Sequence, residues 1–252
     1  MRKAMVVLAG AVILGGGFAA RAQDAAPDLL AKARAAYEQR ANPVQAKQAV
    51  DLYALAAKAG GPQAYDALWE GARACYYDGH YALKDAPDKD LLALYQDGID
   101  RAKAAVALEP KGVEGHFWLG VLYGVYGETK GIFKSLAMVP GIKQEMQTCM
   151  ELDPSVEGYG PDRVLGRLYF KLPGFKGGDN KKSIQYLESS LKGAPTNALT
   201  KLYLAETYKD EGMKEKAMDQ LKGIVSMTPD PRWAPEQTSI KAEAQRLLDK
   251  WS

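Results

Sequence analysis

Between residues 114 and 195 small and apolar positions follow a pattern that occurs twice. Leu119, Gly120 and Tyr123 precede Ile142, Met146, Cys149 and Pro154; Leu165, Gly166 and Tyr169 precede Ser183, Leu187, Ser190 and Pro195. In each half the last four residues stand at offsets 0, 4, 7 and 12. Spacings of four and seven fall on one helix face, a small residue lets a second helix approach, and a proline cannot continue a helix. The pattern therefore predicts a pair of helices that packs in the same way twice. Downstream, Leu204, Ala205 and Tyr208 lead to Ala217, Leu221, Ile224 and Pro229. Upstream, Gly98, Ala102, Ala105 and Pro110 repeat the second-helix signature, as do Ala49, Tyr53 and Ala56 before Pro62.

Pro195 and Pro229 are 34 residues apart, the period of the tetratricopeptide repeat. The expected fold is all-α: a tetratricopeptide-repeat α-solenoid of about five helix pairs plus a C-terminal capping helix. The first pair spans 29–39 and 44–58, and the second 65–77 and 91–108 around a polar loop at 78–89. The fifth spans 197–227 and the cap 236–251, with residues 24–28 a flexible lead. About eleven helices result, with the first helix of each pair facing the concave side. Gly120 and Gly166 are expected at close helix–helix contacts.

Departures from the ideal period cluster in one place. From the first-helix tyrosine to the small position of the second helix, the fifth pair needs 9 residues, the third 19 and the fourth 14. The additions all lie in the turn inside a pair, hence along one edge of a stacked array. Insertions grouped on one face mark working surfaces. Residues 128–141 and 172–179 are thus expected to form or flank a contact with another protein or a second copy of this chain.

The N-terminus departs from this pattern. Arg2 and Lys3, an apolar run at 5–18 and a small-residue site at Ala20-Arg21-Ala22 read as an export leader over residues 1–22, leaving one helical domain at 23–252. The apolar run is too short to span a membrane as a helix. Losing Arg2, Lys3 and Arg21 lowers the formal charge from +2 to −1. A near-neutral chain lacks the basic field that nucleic acid requires, so no nucleic-acid partner is expected.

Five runs carry a family resemblance: LWEGAR (68–73), GHFWLG (115–120), CMELDP (149–154), GPDRVLGRLYFKLPGFKGGD (160–179) and LYLAETY (202–208). Together they resemble the T-component proteins of tripartite ATP-independent periplasmic (TRAP) transporters. A weaker similarity, in the LDP and LGR elements but not the PGFKGG turn, is to the regulator-of-microtubule-dynamics family. The first resemblance implies a tetratricopeptide array in the periplasm that partners the transporter's solute-binding protein. No lipobox cysteine follows the apolar run, so a soluble periplasmic form is expected. A general envelope scaffold for protein segments is the alternative.

In this repeat type the fifth, ninth and thirteenth positions of the first helix face the groove. These are Phe117, Val121 and Val125 in the third pair, and Arg163, Arg167 and Lys171 in the fourth. An apolar stripe beside a basic one suits a small hydrophobic organic acid, gripped by arginine forks; Arg73 is a further candidate.

Enzymatic chemistry is not indicated. GFKGGDNKKS lacks the glycine–lysine pair of a phosphate loop, and no nucleophile motif is present. His80 and His116 have no partners at metal-ligand spacing, so neither metal nor cofactor is expected. His80 reads as a loop residue and His116 as a helix-surface one. Cys75 and Cys149 read as two buried free thiols.

Overall fold

The computed structural model describes residues 16–252, with side chains from residue 26. Residues 1–15, most of the expected leader, lie outside the described residues. Among the described residues there are eleven α-helices and no strand. The pairs are α1 (Gly16–Glu38) with α2 (Pro43–Ala59), α3 (Ala64–Tyr77) with α4 (Asp88–Leu108), and α5 (Val113–Lys130) with α6 (Ile132–Leu152). They continue with α7 (Val156–Lys171) and α8 (Asn180–Gly193), then α9 (Ala198–Asp210) and α10 (Lys214–Ser226), before the cap α11 (Ala234–Trp251).

The repeated apolar positions are what the helices bury. Every second-helix residue at offsets 0, 4 and 7 is buried, from Ala49, Tyr53 and Ala56 in α2 to Ala217, Leu221 and Ile224 in α10. Each second helix stops two or three residues before its proline. Three starts are capped by a side-chain acceptor: Asn42 to the Val44 N–H, Asp179 to Lys182 and Asn197 to Thr200, at 2.9, 3.0 and 2.9 Å. A cap of this kind contributes about 1 kcal/mol. Gly120 and Gly166 stand at close helix–helix contacts, as expected. A Cβ on them would lie 2.4 Å from Met146 Cε and 2.6 Å from Leu187 Cγ. Both cysteines are buried and free.

Consecutive helices pack, and so do the first helices of successive pairs: α1 on α3, α3 on α5, α5 on α7, α7 on α9, with α9 on α11. These odd-numbered helices form the inner wall. The array curls until its ends meet. Arg40, just past α1, donates to both carboxylate oxygens of Glu236 in α11 at 2.9 Å and to the Arg232 carbonyl at 2.6 Å. Both side chains are buried. The guanidinium also lies 4.5 Å over the Tyr37 ring.

Two local expectations need correction, and two further local features shape the array. Residues 24–28 are not a loose lead, because α1 runs through them and buries Ala26. The polar loop at 78–89 begins with a π-helical turn, Asp78–Ala82, that continues α3. Residues 128–141 follow the helical periodicity of Ile132, Phe133 and Leu136: α5 and α6 are both lengthened and meet at Gly131, whose φ of 102° is open to glycine. Finally, α7 opens with a left-handed turn, in which Glu157, Gly158 and Tyr159 have φ of 50°, 66° and 56°. Such backbone costs about 1–2 kcal/mol at each non-glycine residue. Arg163 offsets this by donating to the carbonyls of Glu157 and Gly158 at 3.1 and 3.2 Å, and Ser190 Oγ donates to that of Tyr159 at 3.0 Å.

Candidate functional site: the lumen of the solenoid

The curled inner wall lines a partly open cavity of about 790 Å³, within the range of small-molecule sites. Aromatic residues furnish one side. Tyr76 stacks on His80 with ring centroids 5.1 Å apart and meets Trp118 at 5.4 Å. Val121 and Val125 of α5, Leu168 of α7, Leu202 of α9 and Ile240 of α11 extend the apolar lining.

Six of the seven residues expected to face the groove line this cavity: Phe117, Val121, Val125, Arg163, Arg167 and Lys171. Their roles differ. Phe117 is only 2% exposed and wedged against Gly160, so it is as much core as lining. The basic stripe divides. Arg163 is buried and holds the left-handed turn; burial pulls its guanidinium below the ordinary arginine value, with Glu157 opposing. Arg167 is paired with Glu206 and stacked 4.2 Å over Tyr203. Lys171 is exposed. Arg73 does not line the lumen. It lies 4.4 Å over Tyr37 and 5.0 Å over Trp69, beside a smaller cavity of about 390 Å³ that shares Tyr37, Glu157 and Trp233 with the main one. Its Nε is buried with no hydrogen-bond partner.

The lumen is not simply basic. Lys84, Arg163, Arg167, Lys171 and Arg246 are matched by Glu128, Glu157, Glu206, Glu236 and Glu243. Arg246 binds Glu243 at 2.5 Å, and Glu236 is taken by Arg40. Glu157 is a carboxylate that the sequence reading missed. Burial raises its pKa, and the nearby charges of Arg73 and Arg163 oppose the rise. The Trp118 indole N–H stands close to it but short of hydrogen-bond geometry. A sequence signal for this turn did exist. From the proline to the first-helix leucine there are 9 residues in the third and fifth pairs but 11 in the fourth, from Pro154 to Leu165. Two extra residues are what the left-handed turn absorbs.

Both histidine expectations are corrected. His80 sits in the π turn against the lumen, where burial and then Arg167 lower its pKa to about 4, so the ring is neutral near pH 7. His116 is buried between α5 and α6, its Nδ1 2.6 Å from Glu145 and its Nε2 3.0 Å from the Pro110 carbonyl. Their positions depend on how pairs stack, which spacing to the nearest Cys or His does not encode.

A curled array of helix pairs with a concave inner face defines an α-solenoid of the tetratricopeptide kind, an architecture suited to protein–protein interaction. The chain belongs to the family described as regulator of microtubule dynamics protein 1-3, whose model matches residues 29–172; a tetratricopeptide repeat model matches 175–240. No curated protein matches. Among solved structures, TTC0263, a thermophilic TPR protein in Thermus thermophilus, is similar with a TM-score of 0.62 and 18% identity. That match covers 90% of this chain and 98% of the other. The crystal structure of MamA protein gives a TM-score of 0.50 at 17% identity over 89% of this chain and 96% of that one. At these identities the likeness concerns the fold alone.

Proposed function

We propose that the protein is a non-enzymatic accessory subunit of a TRAP-type uptake system in the periplasm. In this reading it docks the extracytoplasmic solute-binding protein and holds an amphipathic organic anion in its lumen. The observation that carries the ligand is the lumen itself: a partly open space with largely apolar walls and Arg167 and Lys171 on one flank. The apolar walls accept a hydrocarbon body. Arg167, already bridged to Glu206, can turn its fork to a carboxylate. The leader read from residues 1–22 and the T-component-like motifs supply the compartment and the partner. Affinity capture from a periplasmic extract should recover a solute-binding protein, and Arg167→Ala should weaken binding of an organic-acid probe by about 1.5–3 kcal/mol. Recovery of envelope assembly factors alone would contradict it.

A second reading, a general envelope scaffold that grips a protein segment in the lumen, is favoured by the balance of five acidic and five basic lining residues. An extended peptide presents both charge signs and backbone donors to such a surface. Under this reading the capture recovers assembly factors, and the organic-acid probe does not bind.

A further inference from the structure

Nine large apolar side chains are exposed among the described residues, and six of them lie in or beside the turn inside a helix pair. Every pair contributes: Val44, Leu83, Ile132 with Phe133, Phe175 and Met213. They therefore run along one edge of the array. The two most exposed are aromatic, Phe133 at 89% and Phe175 at 84%. A phenylalanine left in water forgoes the free energy of its burial. Neither residue packs the fold.

Positive charge is concentrated at the third and fourth of these turns. Segments 128–134 and 171–182 carry Lys130, Lys134, Lys171, Lys176, Lys181 and Lys182 against Glu128 and Asp179, a local excess of +4 in a chain whose formal charge is +2. All six lysines are exposed. Each aromatic tip is followed directly by a lysine, in GIFK and GFK. The tips flank the mouth of the lumen, since their neighbours Ile132 and Pro173 line the cavity.

We propose that this edge docks on an anionic lipid surface, with Phe133 and Phe175 entering the headgroup layer and the lysines meeting the lipid charge. Apolar phenylalanine rings that enter the headgroup–acyl boundary, beside lysines with apolar stems and charged heads, suit a membrane surface. Lysines near an anionic bilayer add attraction that salt screens. The apolar tips are separated by charged side chains and stand on turns, not on a continuous flat face. That arrangement fits a fluid interface better than a rigid protein surface. No described helix is long and apolar enough to cross a membrane, so the contact is peripheral. The proposal goes beyond the uptake reading and stands whether or not the lumen holds an organic acid.

The test is co-sedimentation of the protein with vesicles of phosphatidylglycerol and phosphatidylcholine, against phosphatidylcholine alone. Binding is expected to the anionic vesicles and to fall steeply between low and high salt. Phe133→Ser with Phe175→Ser should lower partitioning about tenfold or more. Lys130→Gln, Lys134→Gln and Lys176→Gln should lower it about fivefold per lysine. Because these side chains pack against little, thermal melting of every variant should match the parent. No binding to anionic vesicles, or undiminished binding by the phenylalanine variant, overturns the proposal. So does sedimentation equilibrium that shows a dimer which the same variant dissociates, since the edge would then be a self-association surface.

Discussion

Arg40 and Glu236 are 196 residues apart in sequence and joined by paired hydrogen bonds of 2.9 Å, both side chains buried. The pair fastens the first repeat to the capping helix and turns an open superhelix into one that surrounds a lumen. Removing one partner of a buried pair strands the other charge, at a cost of about 3–5 kcal/mol. Arg40→Ala should lose stability on that scale in urea denaturation. Its small-angle scattering should also report a larger radius of gyration, because the ends are released while each helix pair persists.

Gly120 and Gly166 should respond differently to the same substitution. A side chain at Gly120 meets the flexible end of Met146, whereas at Gly166 it meets Leu187 and the Ser183 carbonyl 3.1 Å away. Overpacking costs about 1–3 kcal/mol. Gly166→Leu should fall at the upper end or beyond and Gly120→Leu lower, as read from thermal midpoints.

How much of this was legible in the chain follows from which relationships are local. The buried face of each second helix is written in residues four and three apart, so Ala49, Tyr53 and Ala56 announce their burial as plainly as Ala217, Leu221 and Ile224. The lining role of Val121, Val125 and Arg167 follows from repeat position alone. Arg40 and Glu236 could not be paired that way, because their meeting depends on the accumulated curvature of five pairs. Arg73 was misplaced for the same reason: its repeat faces the junction of the two cavities, where Tyr37 and Trp69 cover it. The left-handed turn at Glu157 was legible only as two surplus residues after Pro154.

The two upstream arginines of the basic stripe should separate in a stability measurement. Arg163 is buried and satisfies two carbonyls of the left-handed turn, so Arg163→Ala should cost about 2–4 kcal/mol in urea. Arg167 is partly exposed and its ion pair is screened, so Arg167→Ala should cost about 1 kcal/mol or less. Equal losses would contradict the division of roles.

Two groups of the π turn should give opposite pH dependences. Burial raises the Asp78 pKa to about 6 from 3.8, with Lys47 opposing, and Asp78 Oδ1 has no hydrogen-bond partner. The folded state keeps that proton where the unfolded state releases it, so the Asp78 contribution declines as pH rises from about 4 to 6. His80, held down to about 4 from 6.5, does the reverse. Its contribution is complete above about 6.5 and is lost as pH falls toward 4. Measured as parent minus variant across this window, the stability difference should fall with rising pH for Asp78→Asn and climb for His80→Gln. At pH 8, Asp78→Asn should be the more stable protein by about 1–2 kcal/mol after screening.

Whether the lumen is a ligand space is read by calorimetric titration with decanoate and its neutral amide, using the parent and Val121→Trp. Val121 is half-buried on the lumen wall, so the indole occupies the cavity without displacing core. Decanoate should bind saturably one-to-one, and the amide, which lacks the charge for Arg167 and Lys171, at least about tenfold more weakly. Val121→Trp should not bind, at an unchanged melting temperature. Decanoate binding that survives in Val121→Trp, or no binding by the parent, would contradict a ligand-holding lumen.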